Sequence, residues 1–79
     1  MSPRPRRLYE PRPVRVEAEE GVPARLGGAA VEAVREEWLV EDLWWTPRPL
    51  RRHYFELVLA DGRDATVFKQ GGGWYAQRA

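Results

Sequence analysis

Apolar and polar residues alternate with a period of two along most of the chain between residues 14 and 77. The alternation is clearest in residues 53–59, where two sets of side chains take opposite faces: His53, Phe55, Leu57 and Leu59 against Tyr54, Glu56 and Val58. Asp61 and Gly62 follow, a pair that favours a two-residue hairpin turn, and the alternation resumes over residues 63–69. The pattern therefore predicts two half-buried antiparallel strands.

Two shorter alternating segments come earlier in the chain, at residues 14–18 and 22–26. Residues 19–21 and the glycine pair at 27–28 have the composition of the turns that would follow them. Pro23 has no N–H group to donate, so the second of these strands is expected to be short or to lie at a sheet edge.

The segment 29–42 fits two periodicities. As a helix it would place Val31, Val34 and Trp38 on one face, and its alanine and glutamate residues favour a helix. As a strand it would group Val34, Trp38, Val40 and Trp44. No N-capping side chain precedes the segment, and the hairpin signals around it favour a strand. The phase changes near Ala33 and Val34, where a β-bulge would account for it.

Proline and glycine mark the limits of the alternating region. Proline alternates with arginine in residues 3–6 and again in residues 11–13, and residues 1–13 are expected to form a flexible tail. Two prolines within residues 46–49 separate the long segment from the hairpin, and glycines 71–73 form a turn before a last strand at residues 74–77. We expect residues 14–79 to form a single all-β domain of five to six short strands, a small antiparallel barrel or a strongly bent sheet.

The core of so short a chain must be dense in large side chains, because 79 residues bury only about 60% of their unfolded surface. Four tryptophans, three tyrosines and two phenylalanines are available. The predicted core residues are Trp38, Val40, Trp44, Phe55, Leu57, Leu59, Val67 and Trp74. In this interpretation Trp38, Val40 and Trp44 form the core wall of a long bent strand, and Leu39, Leu43 and Trp45 face the other side.

The amino-acid composition excludes cysteine chemistry and indicates the kind of organism that encodes the protein. The chain has no cysteine, which excludes disulfides, thiolate metal sites and cysteine nucleophiles and makes a cytoplasmic location the expected one. No apolar run approaches the ~20 residues that span a membrane. The basic residues are almost all arginine and asparagine is absent, which fits a GC-rich bacterial genome or a thermophilic bacterium.

The net charge of +1 conceals three blocks of alternating sign. Five arginines and one glutamate give residues 1–15 a charge of +4, and eight acids against two arginines give residues 17–42 a charge of −6. Six bases against three acids give residues 48–79 a charge of +3. Either adjacent strands of opposite charge pair within the molecule, or the basic blocks meet a partner.

The residues that catalysis needs are scarce. The only serine is Ser2 and the only histidine is His53, so a serine-histidine-aspartate arrangement is not expected. The carboxylates of residues 36–42 would be divided between the two faces of a strand and would not converge. The glycines at 71–73 lack the lysine and helix of a phosphate-binding loop. We expect no enzyme activity, no cofactor and no metal site, and a structural role for His53.

Aromatic and arginine residues interleave near the start of the main hairpin. Such a combination suits a small barrel that stacks bases of single-stranded nucleic acid and meets its phosphates. It equally suits a protein interface, because tryptophan, tyrosine and arginine dominate binding hot spots. The predicted contact residues are Arg48, Arg51, Arg52, Trp45 and Tyr54, with Arg4, Arg6 and Arg7 from the tail.

Four segments resemble a family of small uncharacterised bacterial domains: residues 37–45 (EWLVEDLWW), 51–59 (RRHYFELVL), 66–68 (TVF) and 73–75 (GWY). Members of that family occur as free-standing proteins or beside Y-family-polymerase-like proteins of actinobacterial error-prone repair. The resemblance covers residues 14–77 and leaves the tail outside. It implies a non-enzymatic accessory domain that acts in DNA damage tolerance by contact with protein or DNA.

Together these observations predict a small β binding module that assists DNA repair or another nucleic-acid process, with nucleic acid or a DNA-repair protein as partner and no contact with membranes. The alternative is a protein–protein interaction module, as a homodimer for example, that does not touch nucleic acid. Pairing of the arginines at 48, 51 and 52 with the acidic segment would weaken the electrostatic case for nucleic acid.

Overall fold

The computed structural model describes residues 11–42, 45–47 and 49–77, and only the backbone of Asp42. These residues form seven β-strands: β1 Arg12–Pro13, β2 Val16–Glu19, β3 Val22–Leu26, β4 Ala29–Asp42, β5 Leu50–Leu59, β6 Asp64–Gln70 and β7 Gly73–Gln77. The all-β prediction is confirmed, although the predicted strand count of five to six is low. The strand interpretation of residues 29–42 is also confirmed. The described residues include no helix long and apolar enough to cross a membrane.

The strands form one antiparallel sheet in the order β1-β7-β6-β5-β4-β3-β2. From β2 to β7 each strand pairs with the next one in the chain, whereas β1 lies at the opposite edge from β2. Only Val14 and Arg15 separate these two edge strands. Because the three peptide units from Pro13 to Val16 reach at most about 11 Å, the edges must approach each other, and the sheet is curled into a half-barrel.

Two hydrogen bonds fix the segment that joins the edges. The Val14 N–H group donates to the carbonyl of Trp74 on β7 at 3.0 Å, and the Gly27 N–H group donates to the carbonyl of Arg15 at 2.8 Å. One side of the joining segment is thus bound to β7 and the other to the turn after β3. The predicted strongly bent sheet is the observed architecture.

The sheet begins before the predicted end of the tail. Arg12 and Pro13, placed in the tail by the sequence pattern, pair with Ala76 and Tyr75 of β7. A proline is tolerated here because β1 is an edge strand. Residues 1–10, with the predicted contacts Arg4, Arg6 and Arg7, lie outside the described residues.

The hairpin between β5 and β6 has a three-residue loop, not the predicted two-residue turn. The Leu59 N–H group donates to the Arg63 carbonyl, and the Gly62 N–H group donates back to the Leu59 carbonyl, both at 2.8 Å. Gly62 has a φ of +91°, a left-handed conformation that glycine adopts without steric cost. This is the loop in which a type I turn is closed by a glycine bulge.

The core lies on the concave face of the sheet and is centred on β5. Phe55, Leu57, Leu59 and Val67 are buried together there, in agreement with the predicted core. Trp74, also predicted, is partly buried against this cluster. These alternate positions share a face because successive side chains of a strand point to opposite sides of the sheet.

Trp38 and Val40 do not belong to this core, and their assignment to a core wall is wrong. The pairing of β4 with β5 shifts between Val34 and Glu36, so that Val34 lies opposite Leu57 but Trp38 lies opposite Tyr54. Val34 therefore faces the core and Trp38, four residues later, faces away from it. Trp38 is 38% exposed. Trp44, the third residue of the predicted wall, lies outside the described residues.

The phase change near Ala33 and Val34 is due to two bulges, which confirms the predicted distortion. The register shifts once between Val31 and Ala33 and again between Val34 and Glu36. Each shift leaves one residue of β4 without an opposite partner on β5. Bulges increase the local twist of a strand, so this pair helps to curl the sheet.

Candidate functional site

Four aromatic rings form a continuous row across the convex face of the sheet. Trp38, Tyr54, Phe68 and Tyr75 come from four adjacent strands, and each is directly opposite the next in the register. Their ring centroids are separated in turn by 5.2, 4.9 and 5.3 Å. We call this row the aromatic ladder. Cross-strand aromatic pairs of this kind stabilise a sheet beyond the area they bury.

The ladder is held in place by Arg52. Its guanidinium lies 4.5 Å from the centroid of the Phe68 ring, its Nε donates to Oε1 of Gln70 at 2.9 Å, and its Nη1 donates to the Tyr54 hydroxyl at 3.1 Å. That hydroxyl in turn donates to Oε1 of Gln77 at 3.2 Å. Phe68 is only 1% exposed, although it lies on the face opposite the core. Arg52 and the rings around Phe68 thus make a second packed layer.

The predicted contact residues do not form one surface. Arg52 and Tyr54 lie together in the ladder, but Arg51, the residue between two convex positions, lies on the other face of β5. Its Nε is 3.0 Å from Oε2 of Glu41 on β4. Trp45 is 63% exposed beyond the end of β4. Arg48 lies outside the described residues.

Some of the charges of the acidic and basic blocks form ion pairs within the molecule. Glu41 and Arg51 are an ion pair between adjacent strands, and Arg35 of β4 lies 4.0 Å from Glu56 and 3.3 Å from Asp64. The Glu41–Arg51 pair supports the explanation that the acidic block pairs with the basic block. The Arg35 pairs run the other way, because Arg35 belongs to the acidic block and Glu56 and Asp64 to the basic block. Arg52 differs, because its hydrogen-bond partners are neutral and no described carboxylate neutralises it.

His53 packs at the open end of the core. Its ring stacks on Phe55 with centroids 4.4 Å apart, and its Nε2 lies 2.9 Å from Oε2 of Glu37. Neither serine nor cysteine accompanies the pair among the described residues. Nor do these residues bring together three side chains of the kinds that hold a metal ion. The arrangement anchors a ring and a carboxylate at the rim of the core.

Within the described part of the chain, one edge of β4 has no partner strand over most of its length. β3 pairs only with Ala29 and Ala30, whereas β5 follows the other side of β4 as far as Asp42. None of the other described strands pairs with the free side of residues 31–42, which we call the β4 edge. In an antiparallel sheet the N–H and C=O groups of alternate residues point to such an edge, and proteins normally shorten, cover or charge it.

The β4 edge is flanked by two exposed apolar side chains and by acids. Trp38 on the convex face is 38% exposed, and Leu39 on the concave face is 54% exposed. β4 carries five acidic residues against Arg35, a net charge of −4. Arg35 is turned to β5 and β6 by its ion pairs, while Glu32 and Glu36 make no ion pair within the described part of the chain. The edge therefore offers backbone hydrogen bonds, apolar contacts and negative charge together.

Sequence reasoning did not identify this edge, although a signal was present. The alternating region of residues 22–26 that precedes β4 is much shorter than residues 29–42 and contains Pro23. A short strand paired from its C-terminal end can cover only the beginning of a long one. The sequence therefore already indicated that one strand is too short to pair along the whole length of the next.

Comparison of the chain with models of protein families gave no match, nor did comparison with curated proteins or with solved structures. The family resemblance of residues 14–77 therefore stays a prediction, and the surfaces above are the basis for assigning a function.

Proposed function

We propose that this protein is a non-enzymatic binding module that takes an extended, basic segment of a partner protein as an additional strand along the β4 edge. The observation that carries the proposal is the side of residues 31–42 that no described strand pairs with, flanked by the exposed side chains of Trp38 and Leu39. In strand addition, main-chain hydrogen bonds supply affinity and the side chains of alternate residues supply specificity.

The aromatic ladder supports this edge as a preorganised wall. Trp38 is parallel to Tyr54 within 4°, and Tyr54 is tied to Arg52 and Gln77 by hydrogen bonds. A partner side chain that packs on the free side of Trp38 meets a ring that is already ordered. Ordering of interface groups costs free energy on binding, so a fixed ring favours association.

Charge decides which kind of strand fits. A net charge of −4 on β4 favours arginine or lysine at the partner positions that face it. A second copy of the same edge would place acids opposite acids, which destabilises a cross-strand pair. The proposal therefore favours a foreign segment over a homodimer through this edge. The family resemblance supports a cytoplasmic DNA-repair protein as the source of the segment.

Single-stranded nucleic acid is the second candidate. It is supported by Trp45, 63% exposed, and by Arg52, whose charge no described carboxylate neutralises. Two features rank it lower. The rings of Tyr54 and Phe68 cover each other's faces within the ladder, whereas a base needs an open ring face for stacking, and the acids of β4 repel phosphates near Trp38.

The test is a titration of the full chain with a short fluorescent peptide in which arginine alternates with valine, followed by fluorescence polarisation. We expect binding to be lost when alternate backbone amides of the peptide are N-methylated, because each methyl removes a donor to the β4 edge. A peptide with glutamate in place of arginine should bind on the order of tenfold more weakly, since several cross-strand charge pairs change sign.

Matched variants locate the site. Glu32→Arg combined with Glu36→Arg should weaken binding of the arginine peptide, while Glu19→Arg, an exposed acid on β2, should not. Equal binding of the N-methylated peptide, or equal weakening by Glu19→Arg, would contradict the proposal. Salt-sensitive binding of a single-stranded oligonucleotide without peptide binding would instead support the second candidate.

A further inference from the structure

A second surface, separate from the β4 edge, has the form of a small-molecule site. A cavity of about 660 Å³ opens beside the segment that joins β1 to β2. Its apolar lining consists of Val14, Leu26, Leu59, Ala65 and Ala76. The volume lies within the range of about 300–1,000 Å³ typical of ligand pockets, which are mostly apolar with a few convergent polar groups.

Three arginines supply the polar part of the lining: Arg12, Arg15 and Arg63. Arg12 and Arg15 are exposed and make neither an ion pair nor a side-chain hydrogen bond to the described residues. Arg63 is held from one side, because its Nε donates to Asp61 at 2.8 Å. That contact leaves the two terminal nitrogens of the Arg63 guanidinium without a described partner.

The acidic group of the lining is already engaged. Oδ1 of Asp64 accepts a hydrogen bond from Nη2 of Arg35 at 3.3 Å, and Arg35 does not line the cavity. Three arginines therefore face the cavity against one carboxylate whose charge is countered from outside. The cavity combines an apolar floor with an excess of positive charge.

We propose that this cavity binds a small amphipathic anion, with its apolar body on the Leu59 and Ala76 side and its carboxylate or phosphate head against Arg12 and Arg15. The guanidinium fork matches both head groups, and charge-assisted hydrogen bonds are the stronger kind. A free inorganic anion would leave the apolar floor unused, and a neutral apolar molecule would leave the arginines without a counter-charge. The same head chemistry is found in a free amphipathic acid and in the C-terminal carboxylate of an apolar peptide.

This site is independent of the proposed peptide-binding edge, because none of its lining residues belongs to β4. The double substitution of Glu32 and Glu36 by arginine should therefore leave ligand binding at the cavity unchanged. Failure of one proposal does not decide the other.

The experiment is isothermal titration calorimetry of the full chain with decanoate, decyl phosphate, decanol and decyltrimethylammonium. We expect the two anions to bind with one-to-one stoichiometry and the alcohol and the cation to bind at least tenfold more weakly. A peptide with apolar C-terminal residues is compared with its C-terminal amide. Preference for the free carboxylate peptide over decanoate identifies a peptide terminus as the source, and the reverse identifies a free acid.

Three variants assign the head-group contacts. Arg15→Gln and Arg12→Gln should each weaken decanoate binding by about tenfold or more, the effect of losing a charge-assisted hydrogen bond. Arg25→Gln is the control, because Arg25 donates to the Gly28 carbonyl and does not line the cavity. Arg12, Arg15 and Arg25 are all exposed, so these variants are expected to fold, which their thermal unfolding verifies.

Absence of binding of both anions to the full chain would overturn the proposal, because the cavity would then not take an amphipathic anion. Equal binding of decanol and decanoate, or equal weakening by Arg25→Gln and Arg15→Gln, would overturn it as well.

Discussion

Trp38 and Tyr54 stack across β4 and β5 with ring centroids 5.2 Å apart and ring planes within 4° of parallel. Their contact depends on the bulge between Val34 and Glu36, since the shift in register turns Trp38 from the concave face to the convex face. The same contact places the largest side chain of β4 next to the β4 edge. Sheet stability and the proposed binding surface thus share one residue.

The convex position of Trp38 predicts a modest effect of its removal on stability. Trp38→Ala should lower the free energy of unfolding by about 1–2 kcal/mol, the value of one aromatic pair and some lost burial. Phe55→Ala, in the fully buried core, should cost about 3–5 kcal/mol. Urea denaturation of both variants checks the order, and a larger loss for Trp38→Ala would place Trp38 in the core after all.

At the end of the aromatic ladder, substitution of two neighbouring glycines by alanine is expected to lower stability by different amounts. A Cβ atom added at Gly73 would lie 3.1 Å from the Tyr75 hydroxyl and 3.3 Å from its ring, whereas one added at Gly72 would meet nothing within 4 Å. Gly73→Ala should therefore displace the Tyr75 ring and cost about 1 kcal/mol. Gly72→Ala should stay within about 0.5 kcal/mol of the natural protein. The two free energies of unfolding are the measurement, and equal values would contradict the packing of Tyr75 over Gly73.

Fold class and most strand positions were predictable because they depend on local alternation. The face of Trp38 was not, because it depends on where the long strand changes phase. The spacing of Val31 and Val34, three residues apart, resembles a helix, yet both side chains pack on the core from a strand. The bulge between Val31 and Ala33 produces that spacing, and the bulge between Val34 and Glu36 then turns Trp38 away from the core. A period of two holds only between bulges, so a helical spacing inside a strand marks the bulges themselves.

Prediction of the candidate site was less complete, for a physical reason. Arg51 and Arg52 look equivalent in sequence, but adjacent residues of a strand face opposite sides of the sheet. Arg51 meets Glu41, and Arg52 covers Phe68. The aromatic and basic residues that alternate in sequence therefore belong partly to a packed layer and partly to the exposed surface. The β4 edge and the cavity beside β1 depend on pairing between residues that are distant in sequence. Only the structure could identify them.

Asp61 is expected to make stability depend on pH in the acid range. Hydrogen bonds from the backbone and the side chain of Arg63 hold the pKa of Asp61 below its ordinary value of 3.8. Because the pKa is lower in the folded state, the ionised carboxylate stabilises the fold above the ordinary pKa, and this contribution is lost as the pH falls through the folded pKa. Asp61→Asn should therefore lose less stability than the natural protein between neutral pH and about pH 2. Thermal unfolding over that range is the measurement, and parallel curves for the two proteins would contradict it.

Comparison of Arg52 with its neighbour Arg51 separates the packing role of the Arg52 guanidinium from the effect of its positive charge. Arg52→Lys keeps the charge but loses the planar group over Phe68 and the paired hydrogen bonds to Gln70 and Tyr54. We expect it to lower the free energy of unfolding by about 1–2 kcal/mol. Arg51→Lys is the matched control, since the exposed pair of Arg51 with Glu41 contributes little, about 0.5 kcal/mol or less. Urea denaturation of both variants decides between a packed and a free Arg52. Equal losses would mean that the Arg52 guanidinium is not part of the ladder and is available to a ligand instead.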